Sequence, residues 1–147
     1  MCYACGEQNQ RGLHMRFSRE GARTICDYEP CEYQQGFPGR LHGGIVATMI
    51  DEAMGWAVYH ASAWGATARL AVRYRQPVHL DAPLRIEAWV VRDRSKLMEL
   101  RAEVRDGEGT LLAEGDGTFM KLDRRMANEL TGLAREAGRD DAPEIIT

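Results

Sequence analysis

His42-Gly43-Gly44 stands directly before a long apolar stretch, and two adjacent carboxylates, Asp51 and Glu52, follow inside it. An α-helix turns every ~3.6 residues, so the acids sit about two turns past its start. Carboxylates within an apolar helix are costly unless they are paired or used. A Gly-Gly helix start leaves backbone N–H groups without intrahelical partners, and such donors can hold a polarised oxygen. Together these residues read as two halves of an active site. The acids are not a pair, because Thr48, Asp51 and Gly55 fall at i, i+3 and i+7 on one helix face. Glu52 is turned roughly 100° away and sees different surroundings.

The elements that must position these residues are legible from periodicity. Ile45 to His60 predicts one helix, apolar nearly all round and therefore buried. Before it, 13–17 and 24–28 read as the strands of a hairpin with a turn at 19–21, and 29–41 reads as a loop. After Gly65 the period becomes two, with Leu70, Val72 and Tyr74, then Leu84 to Val90, then Met98 to Val104. Asp106-Gly-Glu-Gly109 reads as a hairpin turn into a last strand, 110–122, where Gly115 and Gly117 suggest a bulge or a close backbone approach. The short connections favour antiparallel pairing. The expectation is a hairpin, one buried helix and a meander of four strands: an α+β domain over 1–122, with a Cys-containing segment at 1–12. From about Asp123 the chain turns into a charged tail, with a weak helix near Met126–Arg135 and disorder expected over Gly138–Thr147.

Composition narrows the function classes. The 147 residues are 44% hydrophobic and 28% charged, which fits one globular domain with a sizeable core. A net charge of −3 gives no reason to expect nucleic acid. Arginines 69, 73, 75, 85, 92 and 94 crowd one third of the chain; most read as solvated strand faces. No apolar run reaches the roughly 18–20 residues of a membrane helix, so no membrane partner is expected. The N-terminus lacks a secretory pattern, and a cytoplasmic protein with reduced thiols is the expectation. Cys2-x2-Cys5 and Cys26-x4-Cys31 offer four thiolates for zinc, with His14 as a spare ligand. The second gap is wide and Cys26 falls in an expected strand, so packed free thiols are the favoured reading and no metal is expected.

This order of elements resembles the hot-dog fold, and within it the thioesterase superfamily of the phenylacetyl-CoA thioesterase type. The resemblance rests on His42-Gly43-Gly44, six residues and then Asp51. It is extended by Thr67 at the next strand, Tyr74-Arg-Gln-Pro77, the ending from Leu112 to Met120, and the opening Cys2-Tyr-Ala-Cys5-Gly. It implies one long helix wrapped by an antiparallel sheet of about five to six strands, a homodimer or dimer of dimers, and active sites between subunits. It implies an acyl-CoA substrate hydrolysed to free acid and CoA, with no cofactor beyond the CoA of the substrate. The N–H of Gly43 or Gly44 would bind the carbonyl oxygen, and Asp51 of the partner would act on the carbonyl carbon directly or activate water. His42 would shape the helix start or contact the carbonyl side as a catalytic residue, and Thr67 would orient the carboxylate or water. Such chemistry is coherent. Thioester hydrolysis passes through an oxyanion, the attacking oxygen needs a base or must be the carboxylate, and desolvation makes a carboxylate more basic.

Many relatives carry Asn or Gln about six residues before the histidine; here that register gives Gly36, with Gln35 and Gln34 adjacent. Gly55 stands where some relatives have Thr or Ser. Gln35, Gly36, Arg73 and Arg75 are the substrate-binding candidates, with Arg69, Arg92 and Arg94 as further phosphate contacts. Met54, Val58 and Leu70 are candidates for the acyl pocket or for core. Two other readings share the fold: a non-hydrolytic acyl-CoA-binding protein, and a hydratase of enoyl or hydroxyacyl thioesters.

Overall fold

The computed structural model describes residues 1–136 and 138. The elements run β1 (Ser18–Glu20), β2 (Arg23–Tyr28), α1 (Gly43–His60), β3 (Gly65–Tyr74), β4 (Leu84–Asp93), β5 (Leu97–Asp106), β6 (Leu111–Lys121) and α2 (Arg124–Glu136). The six strands form one antiparallel sheet in the order β1-β2-β4-β5-β6-β3. One face of the sheet packs on α1. Met49, Ile50, Ala53 and Met54 of the helix are fully enclosed against Ile86, Met98, Leu100, Val104 and Phe119. Strand alternation explains the other face, where charges pair: Arg85 bonds Glu20 and Asp27 on other strands and Glu87 along its own, and Arg101 bonds Asp116 across to β6.

The glycines of β6 let the helix lie close. A Cβ on Gly115 would stand 2.5 Å from Cγ2 of Ile50, and one on Gly117 would stand 2.4 Å from the sulfur of Met54. Of the two expected readings, close approach is the correct one. The irregularities of register fall elsewhere, between Thr67 and Arg69, between Val90 and Arg92 and between Val104 and Arg105. The turn before β6 closes as expected: Asp106 Oδ1 accepts from the N–H groups of Glu108 and Thr110, and Gly109 takes φ 86°. Those backbone bonds, Thr110's first, hold the Asp106 carboxyl below the usual range.

Two expectations need correction. The meander has three strands, β4-β5-β6, because β3 lies on the far side of β6 and not beside β4. Segment 13–17 is not a strand; Leu13 and Met15 are buried there, but their N–H groups bond the carbonyls of Tyr3 and Ala4 in the opening segment. The helix expected near Met126–Arg135 is present as α2, begins at Arg124, buries Ala127 and Ala134, and is tied to the body by Trp64 Nε1 donating to Thr131 Oγ1 at 2.9 Å. Apart from Gly138 in a turn, the segment expected to be disordered lies outside the described residues. Among the described residues, no helix is long and apolar enough to cross a membrane.

Candidate active site

The start of α1 is built by His42. Its backbone is extended (φ −63°, ψ 132°), and its N–H donates to the Gln34 carbonyl at 2.9 Å. Its Nδ1 accepts from the N–H of Gly44 at 2.9 Å, the bond a Ser or Asp makes at an ordinary N-cap. Ile45 and Val46 donate to the His42 carbonyl. Of the first helical donors, only the N–H of Gly43 has no acceptor among the described residues, and it is exposed. The two candidates for an oxyanion donor are therefore unequal: Gly44 is used in the cap and Gly43 is available. Tyr74 adds a restraint that sequence reading did not assign. Its hydroxyl donates to the Gly43 carbonyl at 2.6 Å from the end of β3.

Asp51 lies two turns further along, partly buried. Thr67 Oγ1 donates to Asp51 Oδ1 at 2.8 Å, so the two residues that sequence placed as carboxylate and orienting hydroxyl do meet. Thr67 sits at the irregular step in β3, where a bulge re-aims a side chain. Thr48 turns back to the Gly44 carbonyl at 2.9 Å and does not reach Asp51 by any bond among the described residues. Glu52 faces elsewhere, accepting from Trp56 Nε1 at 3.2 Å and from the thiol of Cys2.

The loop before the helix is tied to itself. Gln35 Oε1 accepts from the Gly39 N–H at 3.2 Å, and Gln34 bonds Tyr28 and the Cys31 N–H. Gly36 lies against the His42 ring, where a Cβ would stand 3.2 Å from its Cδ2. Arg73 and Arg75 both reach Glu114, and Arg75 first among them holds the Glu114 carboxyl below its usual range. Arg75 nonetheless borders a hollow of about 420 Å³ at the helix start, with Arg40, Gly43, Tyr74 and Phe37; Arg73 does not line it. Arg40 is a further cation that sequence reading left unassigned. A larger hollow of about 600 Å³ opens on the other side, between α1 and α2, walled by Trp56, Tyr59, Trp64, Gly55 and Gly65. Met54 and Val58 are sealed in the core and line neither hollow, so of their two expected readings core is the one that holds; Leu70 packs on the core beside them.

The cysteines are not one cluster. Cys2 and Cys5 lie together beside Glu52, whereas Cys26 is buried in β2 and Cys31 is exposed in the loop. The four-thiolate arrangement is therefore overturned: the alternation of β2 turns Cys26 into the core. Burial pushes the Cys26 thiol up to about 11.

The family model of the thioesterase superfamily matches residues 38–113, the span that carries His42, Gly43, Asp51, Thr67 and Tyr74. The chain belongs to the thioesterase superfamily. Acyl-coenzyme A thioesterase THEM4 of Bos taurus is 38% identical over 102 residues, covering 69% of this chain and 42% of that protein. The chain spans about half the length, or less, of the curated relatives it matches. Among solved structures, a thioesterase superfamily protein at 23% identity superposes with a TM-score of 0.77 over 80% of this chain and 62% of its own. A hypothetical thioesterase of Streptococcus pneumoniae, solved with coenzyme A, is 18% identical with a TM-score of 0.69, covering 73% of this chain and 87% of its own. This member of the thioesterase superfamily has the hot-dog fold, with α1 held in the six-stranded sheet.

Proposed function

We propose that this chain hydrolyses the thioester of an acyl-CoA to the free acid and CoA. The observation that carries the reading is the division of labour at the helix start. His42 occupies the N–H of Gly44, which leaves that of Gly43 to receive the thioester carbonyl oxygen. Such a donor is worth most in the transition state, when the oxygen becomes an oxyanion at the positive end of a helix. The Tyr74 hydroxyl, held on the Gly43 carbonyl, steadies the peptide plane beside that donor. Asp51, held by Thr67, serves as the nucleophile or as the base for water.

Gly43 and Asp51 are eight residues apart on one helix, a rise of about 12 Å, whereas both must come to about 3 Å from one reacting group. This supports a site shared by two copies, each lending its helix start to one site and its Asp51 to the other. Arg40 and Arg75 border the hollow beside Gly43 and suit the phosphates of CoA, to which arginine presents paired donors. Arg73 plays its part through Glu114, Gln35 closes the loop onto the Gly39 N–H, and Gly36 lets the loop lie against His42. The aromatic hollow between α1 and α2 suits the acyl group, being of ordinary ligand size. The coenzyme A held by the pneumococcal structure and the thioesterase activity in the name of the bovine relative agree with this reading. Free CoA substrates and reduced thiols suit a cytoplasmic setting.

The test is thiol release from short, medium, long and aromatic acyl-CoA, with Asp51→Asn alongside. Turnover of the variant falls by roughly two or more orders of magnitude while its far-UV circular dichroism is unchanged. Equal turnover removes Asp51 from the mechanism. Hydration of enoyl-CoA with saturated thioesters left intact makes the protein a hydratase instead.

A further inference from the structure

Glu52, next to the proposed catalytic aspartate, takes no part in the chemistry above, yet it is not an idle surface acid. Its carboxylate oxygens lie 3.6 and 3.7 Å from Sγ of Cys2. The Cys5 sulfur joins them, and one donor atom from each of the three residues lies within 4.8 Å of the other two. Two sulfurs and one oxygen converge from parts of the chain fifty residues apart.

From these residues we infer a zinc site formed by Cys2, Cys5 and Glu52, with its fourth position open to the hollow between α1 and α2. The spacing agrees with that assignment. Tetrahedral zinc with bonds of about 2.3 Å to sulfur and about 2.1 Å to oxygen sets those two donors about 3.6 Å apart. Cys2 and Glu52 already stand at that separation before any ion is added. Two thiolates and a carboxylate suit a borderline-soft divalent ion better than magnesium or calcium, which prefer oxygen alone. Three protein ligands leave the fourth position to water, and all three residues line the 600 Å³ hollow.

The turn that presents the thiols is preformed. Gly6 donates to the Cys2 carbonyl at 3.0 Å. A Cβ on Gly6 would stand 2.5 Å from both N and O of Cys2, so only glycine lets the chain close there. Buried Ala4, between the two cysteines, accepts from the Met15 N–H at 2.9 Å and fixes the turn to the core. The Trp56 indole N–H, bonded to Glu52 Oε1, orients the third ligand as outer-shell partners of metal sites do. Binding converts both thiols to thiolates and releases their protons to solvent, so affinity rises with pH. The two neighbouring acids of α1 then divide: Asp51 serves the reaction and Glu52 fastens the opening segment to the helix through the metal.

The experiment uses the untagged full chain, reduced and stripped by chelator, then titrated with cobalt(II) as a coloured stand-in for zinc. It takes up about one equivalent with a thiolate-to-cobalt charge-transfer band and visible bands of tetrahedral cobalt, and zinc displaces the colour. Cys2→Ser and Cys5→Ser each lose the charge-transfer intensity, and Glu52→Gln alters the visible bands and weakens binding at least about tenfold. Cys31→Ser, at an exposed thiol outside the cluster, leaves the spectrum unchanged. Circular dichroism of each variant checks the fold. Absence of a thiolate band in the reduced protein, or a band that survives in Cys2→Ser and Cys5→Ser, overturns the site. A Glu52→Gln spectrum and affinity matching the parent overturns the assignment of the third ligand. The readout is metal binding and does not depend on thioester hydrolysis.

Discussion

Replacing Gly43 by proline removes the proposed oxyanion donor and little else. Position 43 is the first residue of α1, where proline is tolerated because its N–H would have no helical partner. Proline also restricts the residue before it to extended backbone. His42 is already there, at φ −63° and ψ 132°. A Cβ at position 43 meets the Tyr74 ring at 3.6 Å, an ordinary contact. The fold should therefore persist, with a melting temperature within about 3 °C of the parent. Loss of one preorganised oxyanion donor costs about 10²–10³-fold in kcat, or about 3–4 kcal/mol of transition-state stabilisation. Gly43→Ala is the control, since it adds the same Cβ but keeps the N–H. The assay is steady-state thiol release from the best acyl-CoA, with kcat and KM separated. The loss should appear in kcat, because the bond strengthens only as the oxyanion forms. A folded Gly43→Pro with kcat equal to that of Gly43→Ala would refute the assignment of this donor.

Thr67→Val should lower kcat about tenfold with little change in KM, because Asp51 loses the hydroxyl that aims it; Thr67→Ser should recover most of it, and a Ser variant as slow as Val would show that the strand and not the bond matters. Cys26 makes stability pH-dependent. Its folded thiol is raised from 9.0 to about 11, so the folded state keeps a proton that the unfolded chain loses from pH 9 upward. Its stabilisation is complete below pH 9 and is lost as pH rises through about 11. Thermal melts of Cys26→Ala should fall less steeply over that window than those of the parent, and equal slopes would contradict the buried-thiol account.

What was legible in the sequence is what local chemistry decides. The apolar run from Ile45 fixes a buried helix, and the Gly-Gly pair and His42 fix where it begins, two residues earlier than periodicity alone predicts. The face shared by Thr48 and Asp51 separated Asp51 from Glu52 correctly, although the Thr48 hydroxyl turns to its own helix. Strand partners were not legible. β3 has the same alternation whether it pairs with β4 or β6, so its place beside β6 does not follow from its own residues. Segment 13–17 alternates like a strand, but its partner is the irregular opening segment. Tyr74 was visible only as part of a recurring run, because its hydroxyl contact with Gly43 spans thirty-one residues. The cysteine spacing invited a four-thiolate site. Neither gap could reveal that β2 buries Cys26 while α1 brings Glu52 to Cys2 and Cys5.

The central claim, one site made from two chains, is tested most directly by complementation. Under the proposed mechanism, Gly43→Pro and Asp51→Asn should each be nearly inactive as pure proteins, since every site in them would lack one half. If the proposed dimer holds, co-expression in equal amounts yields mixed dimers in which both lesions fall in one site and the other site is intact. Random pairing predicts recovery to about a quarter of parental turnover per chain. Activity that stays at the average of the two single variants, with mixed dimers verified by mass spectrometry, would contradict the shared site.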